Sequence, residues 1–208
     1  MKIVLKTLMA VAVVLFFTGT YAMYLYNGQT RIVDVVEKKE YKKIVKPDFD
    51  HDNNQAFLTD LIQCVEYIYH YTDITPVNLE LLLAQASLES AWGNSRFAKE
   101  GNNLFGIRIW NRDKGMLPAG YNETLSWRVK SYHSKCSSVR DYITILNTKA
   151  AYSEFRKIRD SQNRLWSKPD SIALARGLDS WSTTKDYDQQ VINIIKKLRQ
   201  DGKVVIKR

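Results

Sequence analysis

Between Leu81 and Ala91 the chain reads LLLAQASLESA, and Glu89 is the one charged side chain in that run. Wound into a helix, these residues present apolar or small groups on every face, so the helix has to lie at the centre of the domain with the rest of the chain around it. A carboxylate is out of place there. Burying an ionised one without a partner costs on the order of several kcal/mol, and positions 85, 86, 92 and 93 hold Gln85, Ala86, Trp92 and Gly93, none of them a base that could pair with it along the helix. Desolvation favours the protonated form and carries the proton toward neutral pH. That is the state a general acid needs in order to protonate a leaving-group oxygen. Ala84, Ala86, Ser87, Ala91 and Gly93 would let a ligand or another backbone approach this helix closely, as a cleft floor requires. From these residues alone a second reading stands equally: a structural glutamate held by core polar groups or by an arginine distant in sequence.

The elements around this helix follow from periodicity. Phe57, Leu58, Leu61, Ile62, Val65, Ile68 and Tyr69 recur at helical spacing and predict an amphipathic helix ending near Thr72. Thr75-Pro76 reads as an N-cap and first helical position, which starts the central helix and carries it through Leu79 to about Trp92. From 102 to 132 the pattern changes. Gly106, Gly115, Gly120 and Pro118 interrupt short alternating pieces, predicting a β-hairpin lobe. Helical spacing returns in Val139 to Leu146, Tyr152 to Ile158, Ile172 to Ala175 and Val191 to Leu198. The fold class is therefore mainly α with a small β-hairpin lobe, in one domain spanning 54–208.

The N-terminus sets a compartment. Lys2 and Lys6 precede an uncharged stretch from Thr7 to Tyr26, long enough to cross a bilayer, so residues 1–26 read as a signal anchor, or as a signal peptide cleaved after Thr20-Tyr21-Ala22. Residues 27–53 read as a spacer, and the domain beyond it should face the extracytoplasmic side. With Lys2 and Lys6 set aside the formal charge of +9 becomes +7. On an exported domain that charge points to anionic wall polymer or lipid headgroups rather than to nucleic acid. Cys64 and Cys136 are the only cysteines, and no Cys/His cluster has metal-ligand spacing, so neither a metal nor another cofactor is expected. Cys64 lies on the apolar stripe of the first helix and reads as a buried free thiol, with a disulfide to Cys136 as the alternative.

Gln85-Ala86-Ser87-Leu88-Glu89-Ser90-Ala91-Trp92-Gly93, followed by Asn102-Asn103-Leu104-Phe105-Gly106-Ile107, resembles the paired signature of the family 73 glycoside hydrolases. Leu146-Asn147-Thr148 leading into Tyr152-Ser153-Glu154-Phe155-Arg156 is similar to the Bax-type subgroup, and the resemblance covers roughly residues 79 to 198. It implies a lysozyme-like α+β fold and cleavage of the β-1,4 bond after N-acetylglucosamine in the glycan strands of peptidoglycan. The family's catalytic acid falls on Glu89. Trp181-Ser182-Thr183-Thr184-Lys185-Asp186-Tyr187 resembles the segment carrying a functional tyrosine, which places that role on Tyr187; Trp181 and Lys185 stand where the family has tyrosine and proline.

A second carboxylate usually activates water or attacks the sugar. The resemblance puts it on the hairpin lobe, at Glu123 or alternatively at Asp113, and the substrate's own acetamido group could replace either. Sugar rings call for aromatic platforms beside polar groups, so Trp92, Asn103, Phe105 and Tyr132 are the candidate substrate-binding residues, with Trp110, Tyr121 and Trp127 as further aromatics near the motif. A lytic transglycosylase and a non-catalytic wall-binding scaffold are the competing functions. An amidase is disfavoured because no zinc or Cys/His nucleophile constellation is present.

Overall fold

The computed structural model describes residues 44–164 and 170–202. The anchor or signal segment at 1–26 and the spacer up to residue 43 lie outside the described residues. Among the described residues no helix is long and apolar enough to cross a membrane.

Helix α1 (Asn54–Tyr71) starts where the Asn53 side chain accepts hydrogen bonds from the backbone N–H groups of Gln55 and Ala56, each at 3.0 Å. Its buried stripe is Phe57, Leu58, Leu61, Cys64, Val65 and Ile68. Residues 44–53, read from sequence as part of the spacer, belong to the compact unit beginning at Ile44. Phe49 is buried in its core, edge-on to Phe57 with ring centroids 6.3 Å apart.

Helix α2 (Leu79–Glu89) is the central helix, with Leu81 to Ala86 wholly enclosed. Its start differs from the sequence expectation. Asn78, not Thr75, is the cap, and its side chain accepts from Leu81 N–H at 3.0 Å. The strap before it is held from outside: Tyr69 Oη accepts from Val77 N–H and Asn147 donates to the Thr75 carbonyl. Pro76 therefore lies outside the helix, in the irregular strap before Asn78.

The end of α2 falls at Glu89 rather than near Trp92. Ser90 Oγ folds back on the Ala86 carbonyl and accepts from Gly93 N–H at 2.7 Å, while Ala91, Trp92 and Gly93 all take positive φ. Gly93 is required there, at φ +80°, because a Cβ would sit 2.5 Å from the His51 ring and 2.9 Å from Phe57.

Helix α3 (Arg96–Gly101) leads into a three-stranded antiparallel sheet of β1 (Arg108–Ile109), β2 (Gly115–Met116) and β3 (Arg128–Lys130), in the order β1-β3-β2. Arg108 faces Val129, and Met116 faces Val129 from the other side. Helices α4 (Lys135–Thr148), α5 (Ser153–Arg164), α6 (Ser171–Ala175) and α7 (Tyr187–Gln200) complete the shell, with α7 packed along α2.

Cys64 and Cys136 are joined in a disulfide, Cα atoms 5.6 Å apart, which ties α1 to α4 across 72 residues of sequence. The free-thiol reading is thereby corrected. Both cysteines are buried, as an apolar stripe requires, but the two stripes face each other. Glu80, in the first turn of α2, is 2% exposed and held by Arg199 of α7 at 2.7 Å and by the Ser171 hydroxyl at 2.6 Å. Burial pushes its carboxyl up, and the guanidinium and hydroxyl outweigh this and hold it below its ordinary value.

Candidate active site

Glu89 closes the last turn of α2, where the unpaired carbonyls of the helix end add negative potential to the cost of burial. Desolvation raises its carboxyl above the usual glutamate range, against smaller contributions from the Tyr187 hydroxyl and the Trp181 indole in the other direction. No cation is paired with it among the described residues. The two buried carboxylates of α2 are thus opposites: Glu80 is held as an ion, Glu89 is biased toward keeping its proton.

A chain of hydrogen bonds fixes how Glu89 is held. Tyr142 Oη donates to Gln85 Oε1 at 2.5 Å, Gln85 Nε2 donates to Tyr187 Oη at 2.9 Å, and Tyr187 Oη donates to Glu89 Oε1 at 2.6 Å. An amide nitrogen can only donate, so the Tyr187 oxygen accepts from Gln85 and its own O–H is turned to Glu89. Gln85 and Tyr142 are fully enclosed and Tyr187 is 7% exposed, so the chain is shielded from water. The other carboxyl oxygen, Oε2, faces Gly106, where a Cβ would lie 3.6 Å away on a residue at φ +65°. Glycine sets no side chain against this oxygen, and Glu89 lines the cleft.

The cleft above Glu89 has a volume of about 860 Å³. Its walls come from four places: the strand region from Phe105 to Trp110, Lys130 of β3, α4 with the turn after it (Asp141, Ile145, Lys149, Ala151, Tyr152), and the segment from Asp179 to Thr184. Phe105 is stacked on Tyr142, with ring centroids 4.1 Å apart, and Trp181 lies against both rings. These aromatics link the cleft wall to the hydrogen-bond chain.

The sequence-predicted residues divide. Glu89 and Phe105 line the cleft, Phe105 as a wall packed into the core at 1% exposure rather than as an open platform, and Tyr187 is bonded to Glu89 without lining the cleft itself. Trp92 is half-buried against the core and is not among the cleft-lining residues, because the left-handed turn after Glu89 carries it away. Asn103 is 1% exposed and is spent on backbone, donating to the Ile107 and Lys130 carbonyls and accepting from the N–H groups of Phe105 and Ile107. These bonds tie the 103–107 turn to β3. Tyr132 donates to Asp141 at 2.7 Å, beside the Lys130–Asp141 ion pair. Glu123 is bonded to Arg128 at 2.6 Å on the hairpin lobe and Asp113 is exposed in the turn before β2; neither lines the cleft.

Gln85 and Trp181 were missed as site residues. Gln85 carried a legible signal, since it is the one other polar residue with a long side chain in the apolar run, one helical turn before Glu89.

The glucosaminidase family model, described as mannosyl-glycoprotein endo-beta-N-acetylglucosaminidase, matches residues 65–200. Protein bax of Escherichia coli is 29% identical over 87% of this chain and 60% of its own length. The exo-glucosaminidase LytG of Bacillus subtilis is 24% identical over 90% of this chain and 64% of its own. The chain thus spans about three fifths of the length of these curated relatives. In fold, the catalytic domain of the autolysin Auto from Listeria monocytogenes matches with a TM-score of 0.52 at 20% identity, covering 85% of this chain and 97% of that one. A peptidoglycan hydrolase from Sphingomonas sp. A1 matches with the same TM-score of 0.52 at 23% identity, over 74% of this chain and 97% of that one. With a family model covering more than half of its length, from α1 to the last turn of α7, this chain belongs to the glucosaminidase family, family 73 of the glycoside hydrolases.

Proposed function

We propose that the domain is a peptidoglycan N-acetylglucosaminidase that cleaves the β-1,4 bond after N-acetylglucosamine, with Glu89 as general acid. The observation that carries this reading is a carboxyl group whose proton affinity is raised by burial, hydrogen-bonded on one oxygen by Tyr187 and lining a cleft of about 860 Å³. Protonation of the glycosidic oxygen by Glu89 leaves a carboxylate in the transition state. The Tyr187 O–H then donates to a charged acceptor, a stronger bond than the one made to the neutral acid. Tyr187 therefore binds the transition state more tightly than the ground state, which is how a fixed donor lowers a barrier. Gln85 and Tyr142 hold that donor in register.

Glu123, carried on the lobe with Arg128, is the proposed second carboxylate, and the substrate's acetamido group is the alternative nucleophile. The stretch from Thr7 to Tyr26 with its leading Lys2 and Lys6 supports membrane attachment with the domain on the extracytoplasmic side. The Cys64–Cys136 disulfide supports the same placement, since such bonds persist in oxidising compartments.

Digestion of purified wall with the domain, followed by mass spectrometry of the new ends, tests the reaction. A reducing N-acetylglucosamine end is expected, and Glu89→Gln should lower its rate of formation by roughly 10²–10⁴-fold. A 1,6-anhydro-muramyl end would show a lytic transglycosylase, and binding without release of fragments would show a scaffold.

A further inference from the structure

Six charged side chains line the cleft: Glu89, Arg108, Lys130, Asp141, Lys149 and Asp179. Their pairing is uneven. Lys130 and Asp141 neutralise each other in an ion pair, and Glu89 is biased toward its neutral form by burial. Arg108, Lys149 and Asp179 remain, so the open cleft carries a net positive charge.

Arg108 and Lys149 approach from different elements. Lys149 follows the last turn of α4 and is exposed; among the described residues no hydrogen bond or ion pair holds its ammonium group. Arg108 is exposed on β1 with its guanidinium over the Trp127 ring, 4.1 Å from the centroid. Stacking uses the face of the guanidinium and leaves its N–H edge free, which is the geometry for bidentate capture of a carboxylate. Trp110, two residues on along the same strand direction, lines the cleft with 70% of its surface exposed. Phe105 and Tyr152, also on the cleft walls, are buried in the core. An exposed tryptophan in a cleft offers the apolar face that a sugar ring stacks on.

We propose that Arg108, Trp110 and Lys149 form a subsite for a sugar that carries a carboxylate: Trp110 takes the ring, and the two cations take the acid group. This deepens the reading of the domain as a wall hydrolase and rests on it. Charge makes the site prefer substituted strands over a neutral polymer with the same linkage. The carboxylate has two sources in wall glycan, the lactyl group of a sugar freed of its peptide and the acids of an attached stem.

Binding is the readout, measured in a Glu89→Gln background so that no cleavage is needed and failure of the catalytic reading does not confound the result. The probes are peptide-bearing strands, strands stripped of stems by an amidase, and neutral chitin. Arg108→Gln/Lys149→Gln is expected to weaken binding to the charged strands about tenfold, to flatten its dependence on salt, and to leave chitin binding unchanged. Trp110→Ala should weaken binding to all three alike. A loss confined to peptide-bearing strands would assign the acid to the stem, and one confined to stripped strands would assign it to the lactyl group. Unchanged binding of the double variant to both charged strands, or an equal loss on chitin, would overturn the proposal.

Discussion

Gln85 offers the sharpest test of the hydrogen-bond chain, because stability and activity should part company there. Its amide is 0% exposed and has both ends used, accepting from Tyr142 at 2.5 Å and donating to Tyr187 at 2.9 Å. Gln85→Leu keeps the side chain near its volume but leaves the Tyr142 hydroxyl enclosed without its acceptor. An orphaned buried hydroxyl costs about 1–3 kcal/mol. Tyr142→Phe alone should cost a similar amount by orphaning Gln85 Oε1. In the double variant both polar groups of that bond are gone, and replacing both partners with apolar groups of matching shape is nearly neutral. Urea unfolding of the four proteins should therefore give a coupling energy of about 1–3 kcal/mol, far from additive. Activity should behave differently. The double variant regains stability, yet Tyr187 has lost the donor that directs its proton to Glu89, so turnover should stay about tenfold below wild type, or roughly 1.4 kcal/mol on the barrier. Additive stabilities would refute the coupled chain, and full activity in the double variant would refute the positioning role of Gln85.

Tyr187→Phe removes the larger of the two hydrogen bonds that hold the Glu89 carboxyl down, so its proton affinity should rise further and the alkaline limb of the pH–rate profile should move to higher pH. Turnover should fall about ten- to hundredfold, as expected for a hydrogen bond to a charged group worth roughly 1.5–3 kcal/mol; a profile that keeps its limb would contradict the assignment. Because the folded state holds Glu89 above its unfolded value, ionising it costs stability as pH rises through the folded value, while below the ordinary glutamate range there is no penalty. Glu89→Gln should accordingly melt at higher temperature than wild type at neutral pH, with the gap closing in acid; melting curves that run parallel across pH would show that burial does not burden this carboxyl. Replacing Cys64 and Cys136 by serine opens a 72-residue loop and should cost roughly 4 kcal/mol in urea unfolding, with the Glu89 pH profile unchanged because the bond joins α1 to α4 away from the cleft.

What the residue order made legible was local. Period 3.6 marks α1, α4 and α7, and the apolar run marks α2 as central, because each helix buries a stripe that its own sequence displays. Both ends of α2 were misplaced for a reason of the opposite kind. Its start is decided by Tyr69 and Asn147 holding the strap before Asn78, and its end by Ser90 and three consecutive left-handed residues; no propensity scale contains the first, and the second sets Ala91 and Trp92 in a conformation they rarely adopt. The platform reading of Trp92 assumed one more turn of helix, and the turn after Glu89 sets Trp92 outside the cleft lining.

The two carboxylates of α2 show where a functional reading of such a chain has to draw its line. Glu80 and Glu89 share a helix, and both are acids among leucines and alanines; neither has a basic neighbour one turn away. By burial alone Glu80 is the stronger candidate, at 2% exposure against a half-buried Glu89. What separates them is the company brought by distant chain: Arg199, 119 residues on, and Ser171 convert Glu80 into a fixed ion that ties α2 to α6 and α7. Tyr187, 98 residues on, and the Trp181 indole give Glu89 neutral donors, Gly106 lies against its other oxygen, and among the described residues no cation is paired with it. Glu80 has its charge neutralised, whereas Glu89 has its charge made unfavourable, as its proposed role of general acid requires. That difference belongs to the tertiary structure, and in this chain α7 supplies both halves of it.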